Sequence, residues 1–234
     1  MSRLRLPRIP PALPIAVWAA GMLWYGNGVA ARVKAEGLEI RGVLAAVRNE
    51  QGKEAGYYTA AAEADPTYLE ALFNTAASVV FAGKPDVALA YTDRLARLAP
   101  NYPKLALVEA AAHYQLDSLD AALRSIGTEL GRRTHPEAWY IAAKIHEARG
   151  DNPAEHAALE ELLRQGARGA TSLYARHASR RLCLLCTTPR EPGHALDLAR
   201  ELAARLPGNR DAASALALVD SCAGAAGRPA SALR

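Results

Sequence analysis

The chain of 234 residues is long enough for one domain of ordinary size or for a short repeat array with a terminal extension. Half of its residues are apolar but only 6% are aromatic, and the abundance of Ala and Leu favours helix over sheet. Arg3, Arg5 and Arg8 supply three charges of the formal net charge of +4, so the rest of the chain lacks the basic field that attracts nucleic acid.

The N-terminal segment is hydrophobic. Residues 11–31 carry no charge and would extend about 32 Å as a helix, which is close to the hydrocarbon thickness of a bilayer. Trp18, Trp24 and Tyr25 favour a retained transmembrane helix, because such rings suit a membrane interface. Two alternatives stay open. A secretory signal could be cleaved after Gly28-Val29-Ala30, or the helix could be buried against a partner.

After the N-terminal segment, the sequence repeats itself at a nearly fixed spacing. Pro66 and Pro100 each end an apolar helical pattern and are 34 residues apart. A second shift, of 33 residues, carries Asp117 onto Gly150, and both positions are predicted turns. The two shifts also bring small residues into coincidence, namely Ala76 with Ala110 and Ala143, and Ala88 with Ala122.

These units resemble tetratricopeptide (TPR) repeats over residues 67–166. The first helix of each unit has an aromatic residue or leucine near its start and a small residue four positions later, namely Leu72, Phe73, Trp139 and Tyr140, then Ala76 and Ala143. A glycine ends the first helix, at Gly83 and Gly150, and a proline follows the second helix, at Pro100. The resemblance implies an all-α fold, a TPR-like α-solenoid of antiparallel helix pairs, preceded by one hydrophobic N-terminal helix.

The predicted organisation follows the chain from end to end. A basic N-terminal segment covers residues 1–10 and the transmembrane or signal segment covers 11–31. The TPR-like domain covers 32–223, and a flexible tail covers 224–234. Within the domain we predict units at about 35–66, 67–100, 101–134, 135–168 and 170–207, and a closing helix at 209–223.

TPR geometry implies a groove lined by the first helix of each repeat, in which an extended peptide or a partner helix would bind. The groove residues that we select as partner-binding candidates are Phe73, Leu107, Tyr114, Tyr140, Lys144 and Glu147. The alternative is that Phe73 and Tyr140 only pack between repeats.

A basic stretch without acidic residues extends from Leu162 to Arg190. Within it, Arg176 and Arg180 are one helical turn apart on the same face, so we add them to the partner-binding candidates. Such a patch could contact an acidic partner or anionic lipid headgroups. The alternative is an ordinary solvated helix face.

The remaining reactive residues do not form a recognisable catalytic or metal-binding motif. Cys183 and Cys186 form a C-x-x-C pair, but a haem, zinc or thioredoxin-like context is missing, so we predict buried thiols. A disulfide to Cys222 is the alternative. The six histidines lack metal-ligand spacing. We therefore predict no enzyme activity, no cofactor, no metal, no small-molecule substrate and no nucleic acid.

The resemblance and the N-terminal segment together predict a membrane-anchored TPR scaffold or assembly factor of a bacterial envelope complex. It would be a single-pass inner-membrane protein with a periplasmic repeat domain that binds protein partners. The alternatives are a permanent structural subunit of a larger membrane complex and an exported soluble adaptor.

Overall fold

The structure is a computed structural model that describes residues 12–50, 52–132, 135–169, 171–172, 174–185 and 191–226. All regular secondary structure in these ranges is helical, which confirms the predicted all-α class. The helices are α1 (Ala12–Val47), α2 (Lys53–Ala64), α3 (Leu69–Phe81), α4 (Pro85–Leu98), α5 (Leu105–Gln115), α6 (Leu119–Arg132), α7 (Pro136–Arg149), α8 (Asn152–Arg168), α9 (Ala175–Leu185), α10 (Glu191–Arg205) and α11 (Arg210–Ala226).

The chain forms two compact units. The first unit comprises Met1–Ala82 and Ala90–Pro100, and the second comprises Gly83–Leu89 and Asn101–Arg234. Helix α4 therefore contributes its beginning to the second unit and its end to the first. The predicted basic segment at 1–10 and most of the predicted tail lie outside the described residues, and the repeat boundaries stay predictions.

The predicted inner-membrane, single-pass localisation is wrong. Within the described ranges, no helix combines the length and the apolar character needed to cross a bilayer. Helix α1 has 36 residues, but Gly21, Gly26, Asn27 and Gly28 dilute the apolar character of its first part, and charged residues begin at Arg32. The lack of charge in residues 11–31 is a weaker criterion for a membrane-spanning helix than the mean hydropathy of those residues. The side chains of Trp18 and Trp24 lie outside the described part.

In the first unit, α1 packs on α2 through a close contact at Gly42. A Cβ atom at this position would lie 2.5 Å from Cε1 of Tyr58, whose side chain is buried. Gly56 on α2 offers the contrast, because a Cβ there would meet no atom within 4 Å. Gly42 is therefore required by packing, and Gly56 is not.

Gly42→Ala is expected to destabilise the first unit by about 1–3 kcal/mol, because the Tyr58 ring must move inside a packed contact. Gly56→Ala is the matched control and should stabilise by about 0.5–1 kcal/mol, since alanine is the better helix former. Thermal and urea unfolding of both variants would measure the difference. A gain in stability for Gly42→Ala as large as that for Gly56→Ala would contradict the contact.

Asp65 lies in the turn after α2, and its side chain connects this turn to α1. Its carboxylate accepts a hydrogen bond from Arg32 Nε at 2.5 Å, and from the backbone nitrogen and hydroxyl of Thr67 at 2.9 and 2.8 Å. Burial alone would raise the pKa of Asp65, but these hydrogen bonds and the Arg32 charge outweigh it and lower the pKa. The Arg32 guanidinium also lies 4.6 Å from the centre of the Tyr68 ring.

The core of the second unit is built mainly from leucine, isoleucine and alanine on α5 to α11. Ile126, Ile145, Leu159, Leu163 and Leu182 are almost completely buried. Ala110, Ala122 and Ala143, which the repeat spacing aligned, are buried as well. Side chains this small let neighbouring helices approach closely, which explains why the sequence repeats them.

The turn between α7 and α8 shows how sequence ends one helix and begins the next. Gly150 ends α7 with φ at 69°, a left-handed conformation that glycine adopts without a steric penalty. The Asp151 side chain then accepts a hydrogen bond from the Ala154 backbone nitrogen at 3.2 Å. This turn lies where the sequence predicts one.

A disulfide links α9 to α11. The Sγ atoms of Cys183 and Cys222 are 2.06 Å apart, and the two Cα atoms are 5.8 Å apart. The prediction of buried free thiols is therefore wrong for Cys183, and the alternative of a disulfide to Cys222 is found. The pairing depends on tertiary structure, because α9 and α11 pack directly against each other and bring the two cysteines together. Cys186 lies outside the described residues.

Candidate protein-binding face

Most of the predicted partner-binding residues lie in the second unit. Leu107 and Tyr114 are on α5, and Tyr140, Lys144 and Glu147 are on α7. Leu107, Tyr114 and Tyr140 are half-buried and pack on the core. Phe73 is half-buried on α3 of the first unit.

The aromatic part of the face is centred on Tyr140. Its ring stacks on that of Tyr174, with centroids 4.0 Å apart and planes inclined by 6°. The imidazole of His177 meets the same ring edge-on, with centroids 5.1 Å apart. The edge-on contact has a favourable geometry for an aromatic pair, and the parallel rings of the two tyrosines are in close contact. The result is a continuous aromatic platform.

Tyr174 reaches this position through an unusual backbone conformation. Its φ is 62°, in the left-handed region that large side chains rarely adopt, at a cost of about 1–3 kcal/mol. Its carbonyl oxygen accepts a hydrogen bond from the Ala178 backbone nitrogen at 2.9 Å, at the start of α9. In this conformation the ring stacks on Tyr140, and burial raises the pKa of its hydroxyl.

Next to the platform lies a chain of ion pairs. Lys144 pairs with Glu147 one turn away. Arg181 Nη1 lies 3.3 Å from Glu147, and Arg181 Nε and Nη2 donate to the two carboxylate oxygens of Glu155 at 2.7 and 2.9 Å. Glu155 is only 1% exposed, and the bidentate contact with Arg181 gives both of its carboxylate oxygens a hydrogen-bond partner inside the protein.

The electrostatics follow from this arrangement. Burial alone would raise the pKa of Glu147, but the Lys144 hydrogen bond and the charges of Lys144 and Arg181 lower it. For His177, burial and then the neighbouring Lys144 charge lower the pKa. Both effects favour a neutral imidazole in the aromatic platform at neutral pH.

We call the group of Tyr140, Lys144, Tyr174, His177 and Arg181, with Tyr114, the α7–α9 face.

The predicted basic patch is only partly assembled. Arg176 and Arg180 are exposed on α9. Arg164 instead pairs with Glu161 on its own helix, and Arg181 is part of the ion-pair chain. Arg190 lies outside the described residues. Two exposed arginines thus border the α7–α9 face.

The partner-binding residues predicted from the sequence do not include Tyr174, His177 and Arg181. A signal for two of them was present in the repeat spacing, because Tyr174 follows Tyr140 by 34 positions and Arg181 follows Glu147 by 34. The shift that aligned the earlier units therefore applies to the start of the next helix. His177 follows Lys144 by 33 positions, which is the other repeat spacing.

The fold of the described residues is a helical-repeat fold of the TPR-like kind. No protein-family model matches the chain, and none of the curated proteins compared matches its sequence. Its fold is similar to that of a chain in the crystal structure of the APC/C hetero-tetramer Cut9–Hcn1, with a TM-score of 0.60 and 17% identity. That alignment covers 80% of this chain but only 36% of the other.

Two further solved structures are similar. A crystal structure of a MamA protein aligns with a TM-score of 0.53 and 14% identity, over 74% of this chain and 91% of that one. The C-terminal part of a TPR repeat-containing protein from Cytophaga hutchinsonii aligns with a TM-score of 0.53 and 20% identity, over 80% and 75% of the two chains. These likenesses confirm the predicted TPR-like fold.

Proposed function

We propose that this chain is a non-catalytic scaffold that binds a protein partner on the α7–α9 face. The observation that carries the proposal is the strained placement of Tyr174, which completes an aromatic platform at the protein surface instead of an ordinary helix start. Tyrosine and arginine are the side chains that most often dominate the energy of protein interfaces. The TPR-like fold supports the same class of function.

The composition of the face indicates how a partner would be held. The Tyr140–Tyr174 stack offers a rigid apolar surface that loses little conformational entropy on binding. The ion pairs around Lys144 and Arg181 are already formed, so they orient polar groups without further ordering. A partner helix or extended segment with an apolar anchor fits such a surface.

Tyr140→Ala is expected to weaken partner binding at least 10-fold, which corresponds to about 1.4 kcal/mol or more. Tagged full-length chain would first be used to recover partners from native extracts. The recovered partner would then be purified and titrated against the wild-type chain and the variant. Tyr57→Ala is the matched control, because Tyr57 is a half-buried tyrosine on α2 of the first unit.

Unchanged affinity of Tyr140→Ala, with helicity and melting temperature preserved, would remove the α7–α9 face from the proposal. A partner that is recovered in fixed stoichiometry, together with a chain that unfolds without it, would favour the alternative of a permanent structural subunit.

A further inference from the structure

The carboxylates beside the α7–α9 face are already paired within the chain. Glu147 pairs with Lys144 on its own helix and lies 3.3 Å from Arg181 Nη1. Glu155 is buried, and its two oxygens accept hydrogen bonds from Arg181 at 2.7 and 2.9 Å. A basic side chain of a partner would therefore find both of these carboxylates occupied.

The carboxylate at the start of α7 is paired as well. Burial and then the Glu137 charge raise the pKa of Tyr174, which places this carboxylate near the aromatic platform. Glu137 lies 2.9 Å from Nδ1 of His135 and 3.5 Å from Nζ of Lys104. The negative charge closest to Tyr174 is thus balanced by a neighbouring lysine.

Arg176 and Arg180 on α9 are in the opposite situation. Both are exposed, and neither guanidinium has an ion-pair or hydrogen-bond partner within the described part of the chain. Each guanidinium carries five N–H donors in a fixed fork that matches the two oxygens of a carboxylate. The face therefore has positive charge to offer and no negative charge to spare.

The helix period places these two arginines on the open side of α9. The inner side of this helix is marked by four buried residues, which are Ala175, Ala178, Ser179 and Leu182. His177 and Arg181 lie on the flank that contacts α7, and Cys183 lies on the flank that is bonded to α11. At about 100° per residue, Arg176 and Arg180 fall between these two flanks and lie side by side.

We propose that the partner of the α7–α9 face is an acidic peptide segment. An aromatic or branched apolar side chain of the segment contacts the Tyr140–Tyr174 stack, and neighbouring Asp or Glu carboxylates bind Arg176 and Arg180. This inference rests on the proposed function and adds the charge of the partner to it. A basic segment would bring like charges against the two arginines, which disfavours binding.

The amount of charge favours a peptide over a membrane surface. Segments that bind anionic lipid through charge carry about four to eight basic residues. At the α7–α9 face two arginines are unpaired, while the charge of Arg181 is shared with Glu147 and Glu155. Two guanidinium groups suit the recognition of two carboxylates better than the attraction of a charged surface.

A library of random peptides displayed on phage tests the charge of the partner directly. The library would be selected on the immobilised full-length chain at low ionic strength, where exposed charges are least screened. The enriched peptides are expected to combine Asp and Glu with an aromatic residue or leucine. The same selection on the Tyr140→Ala chain should not enrich them.

The tightest selected peptide would then be synthesised and titrated against the wild-type chain and the double variant Arg176→Gln, Arg180→Gln. The variant should bind about 10-fold more weakly at low salt, and the difference should shrink to less than about 3-fold in about 0.5 M salt. Both side chains are exposed, so the helicity should not change.

The double variant Arg200→Gln, Arg205→Gln is the matched control. It removes the same charge from exposed positions on α10 and should bind the peptide as the wild-type chain does. A second control is a peptide with Asn and Gln in place of Asp and Glu. This peptide should no longer distinguish the wild-type chain from the Arg176→Gln, Arg180→Gln variant.

Enriched peptides that are neutral or basic, or equal affinity of an acidic peptide for the Arg176→Gln, Arg180→Gln variant at low salt, would overturn the acidic partner. If Tyr140→Ala still abolishes binding in these cases, the proposed function stands without it. If the peptide binds both variants as it binds the wild-type chain, both proposals fail. Arginine-dependent binding to phosphatidylserine vesicles, with no acidic peptide enriched, would assign the two arginines to a membrane surface and overturn the inference as well.

Discussion

Arg181→Met is expected to lower the free energy of unfolding by about 3–5 kcal/mol, because the variant leaves the Glu155 carboxylate buried without its partner. Glu155 is only 1% exposed and receives two hydrogen bonds from Arg181. Urea unfolding monitored by circular dichroism would measure the change. Arg180→Met is the matched control on the exposed side of α9 and should change stability by less than about 0.5 kcal/mol.

A double variant separates the two parts of this effect. Arg181→Met combined with Glu155→Leu removes both charges, and replacing a buried pair by apolar side chains is often close to neutral. Most of the lost stability should therefore return. If Arg181→Met alone unfolds at the same urea concentration as wild type, Glu155 does not depend on this pair.

Breaking the Cys183–Cys222 disulfide is expected to cost about 4 kcal/mol, because the bond closes a loop with a sequence separation of 39 residues. Cys222→Ser, or reduction by dithiothreitol, should lower the melting temperature of the second unit. Cys186→Ser is the control, since it leaves the linked pair intact.

Thiol counting provides a direct check. Of the three cysteines, two are linked, so one thiol per chain should react when the protein is denatured without reductant. Three reactive thiols, or a melting temperature that does not respond to reductant, would contradict the disulfide.

The repeat spacing predicted the parts of the fold that depend on local pattern. The coincidence of Ala76, Ala110 and Ala143 marked positions that are buried, and the Gly150-Asp151 turn was located correctly. Both signals depend on the residue types within one or two helical turns of the position concerned. A small side chain permits close packing, and a glycine followed by an N-cap residue ends one helix and begins another.

The N-terminal helix shows where local pattern was insufficient. The sequence was divided at residue 31 because charges begin at Arg32, yet α1 continues without interruption to Val47. No proline stands between these positions, so the change from uncharged to charged residues does not end the helix. Exposed apolar side chains also continue past this point, at Val33, Ile40 and Val47, although the helix as a whole lacks the apolar character of a membrane span.

The sequence pattern points to only some of the residues of the α7–α9 face, for a similar reason. Family geometry selected Tyr140, Lys144 and Glu147, whose positions depend on a single helix. Tyr174 and Arg181 depend on how the next helix lies against it, and the backbone of Tyr174 adopts a conformation that no helix propensity indicates. Cys222 likewise lies far from Cys183 in sequence, and only the packing of α11 on α9 brings the two together.

The disulfide between α9 and α11 also changes how the protein would respond to mechanical force. If both ends of the chain are pulled, the residues between Cys183 and Cys222 stay inside a covalent ring even after every helix has unravelled. About 130 Å of backbone, estimated at ~3.4 Å per residue, is thereby withheld from the extended length. Helix α10 then carries no load between the two ends, because the force passes through the covalent bond between the two sulfur atoms.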